Sequence, residues 1–115
     1  SWSLEVDEVE LNYLVLLAAK LPLSITVETK DGNIGICHAQ PPSVNWEHVK
    51  NVDIYSRELM IWGRVWIANR MEDVMNVTKT YHGHTPIEKI GTRGNVNFID
   101  TGAVFSDGYL TVVEI

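Results

Sequence analysis

Two histidines, 46 residues apart, follow strand-like runs and could ligate a transition metal. Residues 34–37 (Ile-Gly-Ile-Cys) lead directly into His38, and the alternating residues 77–82 precede Gly83 and His84. Neutral imidazole is the commonest protein ligand for such metals, and the end of a strand holds it with little freedom. Two such ends converge if their strands are neighbours in one sheet. The pattern therefore predicts half of a metal site at His38 and His84.

An arginine follows a glycine at the end of the apolar segment 59–62 and is a second candidate for chemistry. This residue is Arg64, and its planar guanidinium suits a bidentate contact with phosphate oxygens. The alternative is an ordinary surface arginine. The residue type and its position therefore make Arg64 a candidate for contacting a phosphate group.

The first third of the chain predicts a helix followed by a hairpin. Apolar residues recur at helical spacing from residue 6 to residue 17, with acids in the first turns, and Pro22 ends the pattern. Ile25 and Val27 alternate with polar residues as in a half-buried strand. The Lys-Asp-Gly-Asn segment at 30–33 is a strong hairpin signal and leads into the strand that ends at His38.

The remaining elements are less regular. Residues 46–59 predict a helix or a loop with one helical turn, and residues 71–75 are a candidate helical turn. Three more strands are predicted at 77–82, 95–99 and 109–114. Five strands with two or three helices indicate an α/β layer arrangement, and we interpret residues 1–115 as a single unit.

Composition narrows the function classes. The net charge of -6 argues against nucleic acid as the main partner, because that partner selects a basic surface. The sequence contains no run of about 18 apolar residues, so it predicts no membrane-spanning helix. The single cysteine excludes an internal disulfide and fits a reducing compartment. We therefore expect a cytoplasmic protein without a membrane partner.

Four motifs, in this order, carry a family resemblance. They are Cys-His-Ala at 37–39, Ile-Trp-Gly-Arg at 61–64, Gly-His-Thr-Pro at 83–86 and Phe-Ile-Asp-Thr-Gly-Ala-Val-Phe at 98–105. The chain resembles the C-terminal half of the bacteriophage lambda-type serine/threonine protein phosphatases, which belong to the calcineurin-like metallophosphoesterases. The resemblance covers essentially the whole chain.

The resemblance implies roles for individual residues. His38 and His84 match two histidines that ligate one metal of a dinuclear pair, and Arg64 matches the arginine that binds the substrate phosphate during catalysis. The usual metal is manganese, with iron or zinc in some members. The implied reaction is attack of a metal-activated hydroxide on a phosphate monoester, carried by a phosphorylated protein or a small ester. The implied fold is a four-layer α/β/β/α sandwich with mixed β-sheets.

Several family features are missing. The signatures Gly-Asp-x-His-Gly, Gly-Asp-x-x-Asp-Arg and Gly-Asn-His-Glu belong to the family's N-terminal half, and none occurs here. We therefore expect this chain to be inactive alone and to need that half as its partner. Gln40 stands where close relatives often carry an acid, and His82 stands where an apolar residue is usual.

Two further residues could support the site without binding the phosphate. Asp100 could orient His84 by a hydrogen bond. His82 could play a similar supporting role, although His82 and His84 at i and i+2 could also share a face and chelate together. Two other functions stay open: a non-catalytic binding module on a phosphoesterase scaffold, and a small domain in which His38, His82 and His84 hold one structural zinc.

Overall fold

A computed structural model of the protein describes residues 7–69 and 72–115, which form three α-helices and one five-stranded sheet. In chain order the elements are α1 (Glu8–Ala19), β1 (Ser24–Thr29), β2 (Gly32–Cys37), α2 (Ile54–Trp62), α3 (Val65–Ala68), β3 (Lys79–His82), β4 (Gly91–Arg93) and β5 (Val96–Phe98), with a 3-10 helix at Trp46–Lys50 between β2 and α2. The α/β class is confirmed.

The sheet is mixed, and its strand order is β1-β2-β3-β5-β4. The outer pairs β1/β2 and β4/β5 are antiparallel, whereas β2 pairs parallel with β3 and β3 pairs parallel with β5. Parallel neighbours end at the same edge of a sheet. The residues that follow β2, β3 and β5 are therefore brought to one edge.

Local chemistry explains the helix and the hairpin that the sequence predicts. Asp7 caps α1, since its carboxylate accepts a hydrogen bond from the Glu10 backbone N–H at 2.8 Å. The two-residue turn between β1 and β2, residues 30–31, is followed by Gly32, the first residue of β2, whose φ of 119° is a conformation that side chains disfavour. Val6, which we expected in the first turn of the helix, lies outside the described residues.

Two predictions for the second half are wrong, and one strand was not predicted. Residues 109–114 are not a strand; Tyr109 bonds with Thr101, but the segment does not continue into a ladder with a neighbour. The fifth strand is instead β4, which is only three residues long and includes a glycine, so its pattern is too weak to predict. Residues 72–75 are not helical, because Met75 forms an isolated bridge with Asn45. Met71 lies outside the described residues.

The core covers one face of the sheet. Trp46 lies so close to Gly35 that a Cβ there would be 2.6 Å from its ring, and the indole N–H donates to the Thr26 hydroxyl at 2.8 Å. The buried cluster consists of Cys37, Trp46, Met60, Trp66, Val74, Val96 and Phe98. This packing anchors β2, β5 and both helices that follow β2.

The opposite face of the sheet is open. Ile25, Ile36 and Tyr81 lie in register across β1, β2 and β3, and they line a groove of about 510 Å³ that reaches His38 and His84. Helix α1 is also uncovered, since none of its residues is buried and the apolar side chain of Leu16 is 63% exposed. Within the described ranges, no helix is long and apolar enough to cross a membrane.

Candidate functional site

His38 is the first residue after β2, and its side chain is exposed. Its carbonyl accepts a hydrogen bond from the Gly83 N–H at 2.7 Å. The next residue, Ala39, is buried and donates its N–H to the Met60 carbonyl at 2.7 Å. The backbone that carries His38 is therefore held by Gly83, just after β3, and by helix α2, while the imidazole remains exposed.

His84 follows β3 through Gly83 and adopts an uncommon backbone conformation. Its φ is 73°, in the left-handed region that few residues other than glycine occupy. The turn is closed by a hydrogen bond from the Thr85 N–H to the Gly83 carbonyl at 2.9 Å. Such conformations persist where surrounding contacts hold them, and they concentrate at functional sites. The turn directs the His84 ring toward His38.

The two imidazoles meet, as the sequence predicts. His38 Nε2 and His84 Nδ1 are 3.1 Å apart, and the ring centroids are 4.9 Å apart. Two nitrogens that each lie about 2.0–2.1 Å from one ion would be separated by about 2.9 Å at a right angle and about 3.4 Å at a tetrahedral angle. The observed separation falls between these values. The pair therefore fits two ligands of a single metal ion.

The surroundings of His84 favour its neutral form. Partial burial, followed by the nearby charges of His38 and Arg64, lowers the pKa of the His84 imidazole below its ordinary value. A backbone hydrogen bond with Trp62 and the charge of Asp100 act in the opposite direction but do not prevail. Because a metal ligand must be a neutral imidazole, this environment suits ligation.

Arg64 lies beside the histidine pair. Helix α2 ends at Trp62, and Arg64 occupies the residue before α3, with an exposed side chain. Its guanidinium is close enough for its charge to lower the pKa of His84. The structure thus places a permanently charged side chain near enough to His84 for its charge to act on that ring.

Asp100 reaches the same edge because it lies just beyond β5. Its Oδ1 accepts the Gly102 N–H at 3.0 Å, and its carbonyl accepts the Ile87 N–H at 2.9 Å. Its charge acts on His84, but the hydrogen bonds described for the carboxylate go to the backbone and not to that ring. Asp100 therefore influences His84 electrostatically and fixes the turn that follows β5.

His82 is placed differently from His84. It is 2% exposed and faces the core, where its Nδ1 lies 3.0 Å from the Cys37 carbonyl and its Nε2 lies 2.8 Å from the Thr80 hydroxyl. A carbonyl only accepts, so Nδ1 carries the proton and Nε2 accepts from Thr80. Burial lowers the pKa of His82 to about 4. Both ring nitrogens are engaged, and the structure does not bring His82 together with His84.

The metal site is incomplete in the part of the chain that the structure describes. Over residues 7–69 and 72–115, no group of three or more His, Cys, Asp or Glu side chains is arranged to hold a metal ion. The three-histidine zinc arrangement is accordingly not formed by these residues. Among the described residues, His38 and His84 are a pair of adjacent imidazoles and not a complete metal site.

Two neighbours of the site were not predicted to act there. Trp62 is 65% exposed and stands edge-on to His84 with ring centroids 5.7 Å apart. Gln40 is buried, and its side chain contacts the backbone just after Arg64. The signal for Gln40 was its unusual type at that position, and the signal for Trp62 was its place in the Ile-Trp-Gly-Arg motif at 61–64.

No family model matches the chain. It is 31% identical over 102 residues to Serine/threonine-protein phosphatase 1 of Salmonella typhimurium, an alignment that covers 89% of this chain and 45% of the relative. It is 29% identical over 115 residues to Serine/threonine-protein phosphatase 2 of the same organism, with 96% and 51% covered. The chain spans about half the length of these relatives. The resemblance that the four motifs indicate is thereby confirmed, since most of the chain is similar to two proteins named serine/threonine-protein phosphatases.

Proposed function

We propose that the complete protein hydrolyses phosphate monoesters on serine and threonine side chains of phosphorylated proteins. The names of both relatives support this reaction. The observation that carries the proposal is the 3.1 Å separation of His38 Nε2 and His84 Nδ1 at the edge that Arg64 also reaches. A non-catalytic module would have no need for two adjacent imidazoles with a permanent cation near them.

We propose that the site holds a pair of divalent metal ions, with manganese as the first candidate and iron or zinc as alternatives. His38 and His84 would ligate one of them. A dinuclear centre of this kind lowers the pKa of a water molecule and stabilises charge on both the attacking and the leaving oxygen. The lowered pKa of His84 keeps its imidazole available as a neutral ligand.

Arg64 acts on the substrate. Negative charge accumulates on the non-bridging oxygens of phosphate as the new bond to phosphorus forms. The guanidinium can hold two of these oxygens at once, and its exposed position leaves it open to a bulky phosphoprotein. Because the group is permanently charged, it does this at any pH at which the histidines are neutral.

We also propose that the remaining ligands come from the half of the protein that this chain does not include. The chain spans about half the length of its relatives, and two of its apolar surfaces are uncovered: helix α1 and the face of the sheet that carries Ile25, Ile36 and Tyr81. A second sheet packed on that face, with α1 covered by the same half, would give the four-layer sandwich. Burying both surfaces would also place new ligands beside His38.

The test is hydrolysis of a phosphothreonine peptide by the full-length protein in the presence of manganese. We expect the His38→Asn and His84→Asn variants to lose activity. His48→Asn is the matched control, because His48 is exposed and contacts Ser43 away from the site. Full activity in both site variants, or no activity in the wild-type protein with any of the three metals, would contradict the proposal.

A further inference from the structure

Gln40 is a buried amide that lies two residues after His38. Its side chain is 2% exposed, which is unusual for glutamine unless the amide is hydrogen-bonded. The side-chain oxygen Oε1 accepts hydrogen bonds from the backbone N–H of Val65 at 3.1 Å and of Trp66 at 3.5 Å. These are the first two residues of helix α3, which begins immediately after Arg64.

This contact supplies the hydrogen-bond acceptor that the N-terminus of α3 lacks. The residue at the helix start is Arg64 itself, and its own side chain makes no capping hydrogen bond. The first N–H groups of a helix have no partner within the helix, so they need an acceptor from outside. Gln40 provides it from 25 residues away and thereby fixes the backbone on the C-terminal side of Arg64.

The segment that carries Gln40 is itself anchored to β2 and α2. The Cys37 thiol donates to the Gln40 carbonyl at 2.8 Å, and the Ala39 N–H donates to the Met60 carbonyl at 2.7 Å. The amide also fills the space above Gly63, where a Cβ would lie 2.5 Å from both Gln40 Oε1 and the Leu59 carbonyl oxygen. A glycine before Arg64 is therefore required for Gln40 to reach α3.

We propose that Gln40 is the positioning residue for Arg64, holding that arginine in a set relationship to His38 and His84. The inference rests on the proposed phosphatase function, since it concerns the same site. Its physical basis is that Gln40 lies two residues after His38 and also accepts a hydrogen bond from the backbone N–H of Val65, the residue after Arg64. Few bonds therefore separate the two site residues. Gln40 does not need to touch the substrate.

The test is a double-mutant cycle in the full-length protein, with kcat/KM measured on a phosphothreonine peptide in the presence of manganese. Gln40→Met keeps the length of the side chain but removes the acceptor. We expect it to lower kcat/KM by about 10- to 100-fold, because small misplacements of a binding group have effects of that size. Gln40→Glu retains an acceptor, so its kcat/KM should stay within about threefold of the wild-type value, and this range allows for the added charge.

The cycle separates positioning from a general loss of stability. In an Arg64→Ala background, Gln40→Met should have almost no further effect, because its target is already absent. Asn95→Leu is the control, since Asn95 is another amide that bonds backbone groups, those of Val74 at 2.8 and 2.9 Å, remote from the site. Its effect on activity, if any, should be the same with and without Arg64.

An amide-exchange measurement keeps the inference independent of the activity. The Val65 and Trp66 N–H groups should exchange faster in Gln40→Met and near the wild-type rate in Gln40→Glu. If Gln40→Met does not fold, Gln40→Asn withdraws the acceptor by one methylene and replaces it in both assays. Additive losses in the cycle, or unchanged exchange at Val65 and Trp66, would overturn the positioning role. An inactive wild-type protein with the expected exchange pattern would instead overturn only the phosphatase function.

Discussion

His38 Nε2 and His84 Nδ1 lie 3.1 Å apart although 46 residues separate them in the chain. The contact depends on the backbone as much as on the rings, because the Gly83 N–H bonds the His38 carbonyl at 2.7 Å. That bond extends the parallel pairing of β2 and β3 by one step beyond the regular strands. The pairing of β2 and β3 thus holds the backbones that carry the two imidazoles side by side.

The first prediction concerns metal binding by this pair. In the full-length protein, His38→Ala and His84→Ala should each weaken manganese binding, as measured by calorimetric titration and by metal content after dialysis. His48→Ala should leave both quantities unchanged. Binding by the wild-type protein should also weaken as the pH falls, since a protonated imidazole cannot bind a metal ion. Because the pKa of His84 is lowered, His84 should become protonated only at a more acidic pH than an ordinary histidine. Unchanged stoichiometry and affinity in both site variants would remove the assignment.

The second prediction concerns Arg64. Arg64→Lys should impair phosphopeptide hydrolysis by the full-length protein because lysine keeps the charge but loses the bidentate fork. Arg64→Ala should impair it more, by about 10²–10³ in rate, as is common for the loss of an electrostatic donor. Metal content should stay normal in both variants. Arg57→Ala is the control, since Arg57 is an exposed arginine of α2. Near wild-type kcat/KM in a folded Arg64→Ala protein would show that the phosphate is held by another group.

The third prediction concerns the 115-residue chain alone. With two histidine ligands and, in its described residues, no cluster of three metal-binding side chains, it should not hydrolyse p-nitrophenyl phosphate even in excess manganese. The measurement is absorbance of the released nitrophenol, with the full-length protein as the positive control. Turnover in the ordinary enzymatic range of about 1–10³ per second would show that this chain contains a complete site.

The fourth prediction concerns stability and pH at His82. Burial lowers the pKa of its imidazole to about 4, whereas the unfolded chain should protonate this residue at about pH 6.5. Above that pH neither state binds the proton. Between pH 6.5 and 4 the unfolded state binds more protons, so the free energy of unfolding should fall by up to about 3 kcal/mol as the solution is acidified.

Urea denaturation of the metal-free, full-length protein at several pH values measures this effect. His82→Leu should remove the part of the pH dependence that arises from this residue. At neutral pH it should cost about 1–3 kcal/mol, because the buried Thr80 hydroxyl loses its acceptor. His48→Leu, at an exposed histidine, should preserve the pH dependence. A wild-type unfolding free energy that is flat from about pH 6.5 to about pH 4 would contradict the buried neutral state of His82.

Much of the site could be predicted from local patterns. The hairpin signal at 30–33 predicts the strand that delivers His38, and the alternation at 77–82 predicts the strand that delivers His84. These predictions succeed because turn residues and period-two alternation act between close neighbours in the chain. The prediction of a strand at 109–114 is wrong for the opposite reason. A strand also needs a neighbouring strand to pair with, and residues close in the chain do not determine that neighbour.

By itself, the sequence determined the α/β class, the positions of α1 and the hairpin, and the residue types that could bind metal and phosphate. Only the tertiary structure decided that β2, β3 and β5 lie side by side in parallel, which brings His38, His84 and Asp100 to one edge. It also decided that His82 points into the core and that Gln40 supports the helix after Arg64. The physical reason is that helix caps and turns depend on residues a few positions apart, whereas strand neighbours, burial and amide contacts across 25 residues depend on how the whole chain packs.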